Sequence, residues 1–246
     1  MTHTQEKPRL EVKEVSMRFG KIVSLNKVSF TVGVGEVVGL LGDNGAGKST
    51  MVKVIAGIHR PTRGDILIDG VVHRGETPRS ARRAGIETVH QDLALVETMS
   101  IARNFFLGAE PRKRGLLDIR RMEHETTQAL QDIGLQNIRN TGQDVSALSG
   151  GERQAISIGR AVAFGTRLLI LDEPTSALSV AETNKVFSYV RRAKETGLSV
   201  ILIMHNLEQV RQVADRFVVL EHGRKINDVP NTGQDEAELI SLLSSH

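Results

Sequence analysis

Gly42-Asp43-Asn44-Gly45-Ala46-Gly47-Lys48-Ser49 is the stretch of this chain that decides its fold class. Its spacing, G-x-x-x-x-G-K-[ST], is typical of a phosphate-binding loop. The three glycines allow a tight turn in which successive backbone N–H groups point inward at a phosphate. All eight residues, together with Thr50, are therefore candidate contacts to the phosphates of a nucleotide.

The flanking residues place this loop between a strand and a helix. Gly35–Leu41 is a short apolar run that predicts a buried strand, and Thr50–Ala56 has helical character that ends before Gly57. The N–H groups and dipole of a helix N-terminus favour an anion. Lys48 can reach the β- and γ-phosphates, and the hydroxyl of Ser49 can ligate Mg²⁺. A glycine-rich turn that only joins strand to helix is the alternative, and these flanks make it the weaker one.

Leu148-Ser149-Gly150-Gly151-Glu152 is a second glycine motif. The serine and the glutamate have the S-x-x-E spacing of a capping box at the start of a helix that continues through Arg153–Val162. An ordinary capped helix is one interpretation. Glycine is costly in a first turn, however, so the two glycines indicate that something approaches the backbone there. One nucleotide does not need two anion sites, so the motif predicts a dimer in which each chain serves its neighbour's nucleotide.

Two carboxylates follow the apolar run Leu168–Leu171. Four consecutive apolar residues suit a strand that is buried on both faces in a parallel sheet. Asp172 and Glu173 then lie at its carboxyl end, where open α/β sheets bind ligands. We expect Asp172 to hold Mg²⁺ and Glu173 to polarise an attacking water. A solvated loop is the alternative, and the phosphate loop upstream argues against it.

Two further polar residues follow predicted strands. Gln91 comes after Ile86–His90, and His205 comes after Ser199–Met204. In this order, with the three motifs above, the chain resembles the ABC ATPase family over about residues 10–225. The combination is far more specific than any single motif.

The resemblance implies roles for residues at matching positions. Gln91 would contact Mg²⁺ and the attacking water, and His205 would contact the γ-phosphate and orient that water. Ser149–Gly151 would touch the γ-phosphate bound by the opposite subunit, and Phe19 would stack on adenine. Without the resemblance, a Gln or His after a strand is a surface or structural residue, and a Phe near a strand belongs to the core.

One position departs from the family pattern. Where the family normally has an aspartate that helps communication across the dimer, this chain has Ser179. Coupling or turnover is therefore expected to weaken. Ser179 and Glu182 also form an S-x-x-E box before the predicted helix Val180–Phe187, and serine and aspartate are comparable N-caps, so we expect the helix to form.

The predicted fold class is α/β, a P-loop NTPase fold of the ABC ATPase type with a mainly parallel core sheet, an antiparallel β layer and a helical subdomain. A hairpin signal over Ile66–Val72 supports the antiparallel layer, and helical signals that include Met122–Ile133 support the subdomain. Residues 1–246 are expected to form one ABC ATPase domain. Its nucleotide lobe covers about 8–91 and 164–225, its helical subdomain about 92–163, and its tail about 226–246.

Composition agrees with a globular chain and excludes some functions. Hydrophobic residues make up 39% and charged residues 25% of the 246 positions, and the formal net charge of +3 is too small to indicate a nucleic-acid partner. Because there is no cysteine, disulfides and thiol catalysis are excluded. Met1–Leu10 is polar and no apolar run approaches a membrane span, so we expect a cytoplasmic chain that meets a membrane only through a partner.

The resemblance implies an ATP-hydrolysing subunit of an ABC transporter that uses ATP and Mg²⁺. Its partners would be a second ATPase subunit, most simply in a homodimer, then transmembrane permease subunits and, indirectly, a solute-binding protein, at the inner face of the membrane. Gly85–Leu95 and Asn104–Gly108 resemble the ATPases of bacterial monosaccharide importers of the ribose, fructose and xylose type. The alternatives are an ABC ATPase for another solute, a soluble one that acts on ribosomes or DNA, and a module that binds ATP but hydrolyses it poorly.

Overall fold

A computed structural model describes residues 7–73, 77–90, 93–138, 140–204 and 206–233. The chain divides into two compact units. The first comprises Met1–Thr88, Thr166–Glu173 and Gly197–His246, and the second comprises Val89–Gly165 and Pro174–Thr196.

The strands and helices have the following bounds. The strands are β1 (Leu10–Phe19), β2 (Ile22–Val32), β3 (Val37–Leu41), β4 (Arg63–Ile68), β5 (Val71–His73), β6 (Ile86–Val89), β7 (Arg112–Lys113), β8 (Leu116–Leu117), β9 (Leu168–Asp172), β10 (Ser199–Ile203), β11 (Arg216–Glu221) and β12 (Arg224–Pro230). The α-helices are α1 (Lys48–Ile55), α2 (Pro78–Arg83), α3 (Ile101–Phe105), α4 (Ile119–Asp132), α5 (Gly150–Ala163), α6 (Val180–Glu195) and α7 (Leu207–Val210), and Val145–Ala147 form a 3₁₀ turn.

The first unit contains the predicted antiparallel layer and the predicted core sheet. The antiparallel layer has the strand order β2-β1-β4-β5, and the core sheet has the order β12-β11-β3-β10-β9-β6. Strand β10 runs parallel to β3 and β9, and β3 runs parallel to β11. The side chains of β3 and β10 are buried throughout, as expected for strands covered on both faces. The predicted α/β fold class is confirmed.

Parallel pairing brings the functional segments to one edge of the sheet. Strand β10 lies between β3 and β9, with Ile203 opposite Leu40 on one side and Asp172 on the other. The loop after β3 and the carboxylates Asp172 and Glu173 at the end of β9 therefore lie at the same carboxyl edge of the sheet, which is where open α/β sheets bind ligands.

The second unit is mainly helical. Helix α5 packs against α3, α4 and α6. Phe105, Phe106 and Phe164 form an aromatic cluster with ring centroids 5.3–5.7 Å apart. Within the described residues, no helix is long and apolar enough to cross a membrane.

Two segments differ from the sequence-based expectation. Pro174–Thr196, which carries α6, groups with the helical unit because α6 packs on α5, whereas the prediction placed this segment in the nucleotide lobe. Residues from about 226 were expected to be a tail, but β12 extends to Pro230 and pairs antiparallel with β11. Side chains of β12 are mostly half-buried rather than alternately buried and exposed, so its sequence lacks a clear strand period.

Candidate functional site

The phosphate loop is held between β3 and α1 by close backbone approaches that only glycine permits. Gly42 has φ 141°, and a Cβ there would lie 2.2 Å from the backbone oxygen of Leu220. Gly47 has φ 104°, and a Cβ there would lie 2.8 Å from the backbone oxygen of Ser24. Gly42 and Gly47 thus serve both the turn itself and its packing against distant strands.

The start of α1 leaves backbone donors available. Gly47 is the N-cap residue and supplies no side-chain cap, and the first helical bond runs from the Met51 N–H to the Gly47 carbonyl at 2.9 Å. Within the part of the chain that the structure describes, the N–H groups of Gly45, Gly47 and Lys48 donate no hydrogen bond. Unpaired donors at a helix N-terminus form an anion-binding site.

Lys48 is folded back onto this loop. Its Nζ donates to the carbonyl oxygens of Gly42 at 2.5 Å and of Asp43 at 2.9 Å, and the residue is only 6% exposed. Burial lowers the pKa of the Lys48 ammonium, while the charges of Glu173, Asp43 and Asp172 act in the opposite direction. The ammonium group therefore lies within the electrostatic field of Asp172 and Glu173 at the end of β9.

A pocket of about 180 Å³ joins the loop to these carboxylates. Lys48, Ser49, Thr50, Asp172 and Glu173 all line it. The structure thus brings the phosphate loop and the acidic pair, which are more than a hundred residues apart in sequence, into one site.

Glu173 has a backbone conformation that is unusual for its residue type. Its φ is 50°, in the left-handed region, and its N–H donates to the carbonyl of Ile203 at 3.0 Å. Non-glycine residues in this region are strained and are concentrated at functional sites. The surrounding sheet therefore fixes the direction in which Glu173 leaves β9.

The donor set of this pocket suits Mg²⁺. Ser49 offers a hydroxyl and Asp172 a carboxylate, and Mg²⁺ takes oxygen ligands from one or two carboxylates together with substrate phosphates. Among the described residues, no group of three or more His, Cys, Asp or Glu forms a protein-only metal site.

Two residues that line the pocket, Ser24 and Ile203, were not predicted from the sequence. Ser24 in β2 lines the phosphate pocket, and its Oγ lies 2.7 Å from Oγ1 of Thr50. No motif marks Ser24, because it reaches the loop only through the pairing of the antiparallel layer. Gly223 also supports the phosphate loop from a distant part of the sequence, because its N–H donates to the Ala46 carbonyl at 3.0 Å.

The second glycine motif forms the predicted capping box. Ser149 is the N-cap of α5, its N–H donates to Glu152 at 2.9 Å, and its hydroxyl accepts from the Glu152 N–H at 3.4 Å. A Cβ at Gly150 would lie 2.4 Å from the side chain of Leu178, and a Cβ at Gly151 would lie 3.3 Å from the Cβ of Glu182. Close packing inside the chain therefore also accounts for these glycines, a reason that the sequence did not indicate.

Ser149–Gly151 belong to the second unit and do not line the phosphate pocket. Their predicted role toward a neighbour's nucleotide stays a prediction. Ser179 likewise forms its predicted capping box, in which its hydroxyl donates to Glu182 at 2.8 Å.

Phe19 ends β1 and is not a core residue. It is 42% exposed and makes an edge contact with the ring of His59 at a centroid distance of 5.2 Å. The predicted stacking on adenine remains a prediction. Gln91 and His205 lie outside the described residues, so their predicted roles also remain predictions.

Comparison with known proteins gives a consistent result. The pattern of the ABC transporter family matches residues 25–176. The chain is 41% identical over 236 residues to the xylose/arabinose import ATP-binding protein of Sulfolobus acidocaldarius, with 96% of this chain and 94% of that protein covered. It is also 41% identical over 228 residues to the fructose import ATP-binding protein of Rhizobium meliloti, with 90% and 88% covered.

Among solved structures, a similar fold occurs in an ATP-binding cassette determined as a dimer in a post-hydrolysis state, bound to ADP and Pi. The TM-score is 0.75 and the sequence identity 24%, over 92% of this chain and all of that one. At this identity the likeness concerns the fold alone.

Proposed function

Because this chain belongs to the ABC transporter family, we propose that it couples ATP binding and hydrolysis in a head-to-tail dimer to the import of a sugar. The chain is an ATP-hydrolysing subunit. The observation that carries the proposal is the convergence of Lys48, Ser49, Asp172 and Glu173 on one pocket beneath the open amides of α1.

In the proposed site, the amides of the phosphate loop and the Lys48 ammonium hold the β- and γ-phosphates. Ser49, Asp172 and Gln91 would hold Mg²⁺, which would neutralise charge on the phosphate oxygens. Glu173 polarises a water in line with the γ-phosphorus. This water is oriented together with Gln91 and His205, and Phe19 stacks on adenine.

The proposed dimer places Ser149–Gly151 of one chain against the γ-phosphate held by the other. The presence of two glycine-containing helix N-termini supports it. ATP then binds the closed dimer better than the open one. This difference in affinity is what can drive a partner.

Sugar import is proposed because the relatives from Sulfolobus acidocaldarius and Rhizobium meliloti are both named for the import of a sugar. Permease subunits would receive the movement of the dimer, and a solute-binding protein would deliver the sugar to them. The chain would then lie in the cytoplasm on the inner face of the membrane. No nucleic-acid partner is proposed.

The test is affinity capture of a tagged Glu173→Gln chain from detergent-solubilised cells in MgATP, followed by mass spectrometry. Loss of a general base is expected to lower kcat by about 10²–10⁴-fold and so to trap an ATP-bound dimer. We expect co-purification of a membrane protein with several spans. Lys48→Ala, which removes the phosphate cation, is the matched control and should not form the dimer.

Two outcomes contradict parts of the proposal. Wild-type turnover in Glu173→Gln would exclude the role of this carboxylate. Recovery of ribosomes or of soluble proteins alone would be compatible with ATPase activity but would exclude the proposed role in transport. The sugar is then identified by the thermal stabilisation of the associated solute-binding protein with xylose, arabinose, fructose and ribose.

A further inference from the structure

A second pocket, of about 710 Å³, lies in the first unit. Its walls come from β1, β2, the start of β4 and the turn between β11 and β12. It is about four times as large as the phosphate pocket and within the range of small-molecule sites, roughly 300–1,000 Å³. Nothing in the proposed ATPase mechanism uses it.

The pocket is lined by cations that lack ion-pair partners. Arg18, Lys27, Arg63 and Arg224 line it, while Glu14 is its single carboxylate. Within the described ranges, none of these four cations forms a salt bridge, although many other Arg and Lys side chains of the chain do. These exposed cations outnumber the single carboxylate four to one, so the pocket carries an excess of positive charge that favours an anion.

The remaining polar groups also present donors. Ser16 Oγ already accepts from the Lys27 N–H at 2.9 Å, and Thr62 Oγ1 accepts from the Arg18 N–H at 3.1 Å. The Ser16 hydroxyl therefore keeps its own proton to donate toward the pocket, whereas the Thr62 hydroxyl donates to Sδ of Met17 at 4.0 Å. A ligand that satisfies this lining must be rich in acceptors as well as anionic, as a phosphate ester of a polyhydroxylated molecule is.

The backbone around the pocket is strained. Glu14, Lys27 and His222 all line it, and their φ angles are 47°, 51° and 45°. The pairing of β1 with β2 shifts register between Val12 and Val15 and again between Val15 and Met17. Irregular pairing of this kind and left-handed non-glycine residues are both enriched beside binding sites.

Two backbone hydrogen bonds join this pocket to the phosphate loop. The Asn26 N–H donates to the Gly223 carbonyl at 2.8 Å, and the Gly223 N–H donates to the Ala46 carbonyl at 3.0 Å. Asn26 itself lines the second pocket, and with its amide oxygen turned toward Arg224 it accepts from that guanidinium at 3.1 and 3.3 Å. Its neighbour two positions earlier, Ser24, lines the phosphate pocket. Strand β2 therefore lines both pockets, and the turn between β11 and β12 connects the second pocket to the phosphate loop by a hydrogen bond.

We propose that this pocket binds a small phosphate ester and that its occupancy changes the rate of ATP hydrolysis at the adjacent loop. The ester is either a soluble molecule, such as a sugar phosphate, or the headgroup of an anionic lipid. Binding stands independently of the proposed transport function, whereas the effect on hydrolysis rests on the ATPase.

The experiment uses the full chain with its phosphate loop saturated by Mg²⁺ and a non-hydrolysable ATP analogue. Isothermal titration with ribose 5-phosphate is expected to show one saturable site, and ribose alone is expected to show none. Lys27→Gln and Arg63→Gln should each weaken binding about tenfold or more, because each removes a charged donor. Arg79→Gln, an exposed position on α2 outside the pocket, is the matched control and should leave binding unchanged.

Flotation with phosphatidylglycerol vesicles, compared with phosphatidylcholine vesicles, separates the two sources of the phosphate. The pocket is assigned to a lipid headgroup if two results are found together. The protein binds the vesicles but not ribose 5-phosphate, and the Lys27 and Arg63 variants lose the vesicle binding. Absence of both, or binding that neither variant weakens, overturns the site. ATPase rates measured with and without ribose 5-phosphate test whether occupancy of the pocket changes hydrolysis. If the site is confirmed and the rate is unchanged at saturation, the proposed effect on hydrolysis is overturned and the proposed binding stands.

Discussion

The N-termini of α1 and α5 use similar residues in opposite ways. Both helices start at a glycine-containing motif, but α1 has Gly47 as an uncapped, left-handed N-cap, while α5 has Ser149 in a reciprocal capping box with Glu152. The first leaves its backbone donors available for a ligand. The second satisfies part of its own first turn.

What stabilises each terminus also differs. The capping box of α5 is local, since both partners lie within four residues of sequence. The start of α1 is supported by distant segments, through the hydrogen bond from Gly223 to Ala46 and the contact of Ser24 with Thr50. A helix terminus kept open for phosphate thus takes its stability from tertiary structure rather than from its own cap.

Gly47→Ala is expected to have the largest effect, because it breaks the open terminus. The added Cβ would meet the Ser24 carbonyl at 2.8 Å, and a left-handed backbone costs about 1–2 kcal/mol for a non-glycine residue. We expect ATP affinity to fall at least tenfold, as measured with a fluorescent ATP analogue. Gly45→Ala is the control, since it shares a positive φ but has open space around it. Equal losses in the two variants would mean that the close packing of Gly47 is unimportant.

Substitutions at Ser149 separate capping from contact with a neighbour's nucleotide. Ser149→Ala should lower the free energy of unfolding by about 1 kcal/mol, whereas Ser149→Asp should preserve it, because aspartate is an equally good N-cap. Both variants should lose most ATPase activity. The alanine removes the hydroxyl that the proposed dimer places against the γ-phosphate, and the aspartate puts a negative charge there. Urea denaturation and steady-state hydrolysis are the measurements. Full activity in Ser149→Asp would reduce the role of Ser149 to capping.

Ser179→Asp, at the third capped helix, is expected to have the smallest effect. ATPase activity should be equal or higher, because the family normally has aspartate here. Hydrogen bonds from Ser179 lower the pKa of Glu182, so the stability contributed by this box is present above the unfolded-state pKa and is lost as pH falls through the lowered value. The new carboxylate would oppose Glu182, so the variant should depend less on pH in this range. A large loss of activity would reveal a specialised role for the serine.

Much of this comparison is readable from sequence because it depends on local motifs. The phosphate loop, both S-x-x-E boxes and the buried strands β3, β9 and β10 all occur where their residues predict them. Contributions from distant segments are not readable in that way. Ser24 reaches the phosphate loop through sheet pairing, and Arg18 and Arg224 share a pocket although about two hundred residues separate them.

Dependence on distant segments also explains why the sequence did not predict the unit to which α6 belongs or the presence of β12. Helix α6 carries an amphipathic pattern that fits either unit, and only its packing on α5 decides between them. Strand β12 is recognisable by its pairing with β11 and by the ion pairs of Arg216 with Asp228 and Glu36, rather than by any period of its own.

Strand β12 also covers the outer edge of β11 and is itself the outermost strand of the core sheet. Without it, β11, whose central residues are fully or nearly buried, would present a row of unpaired N–H and C=O groups along an apolar edge. Such an edge is a template for strands of other molecules. A chain that ends before Arg224 would therefore keep every residue that lines the phosphate pocket and still present an apolar strand edge at which other molecules can pair.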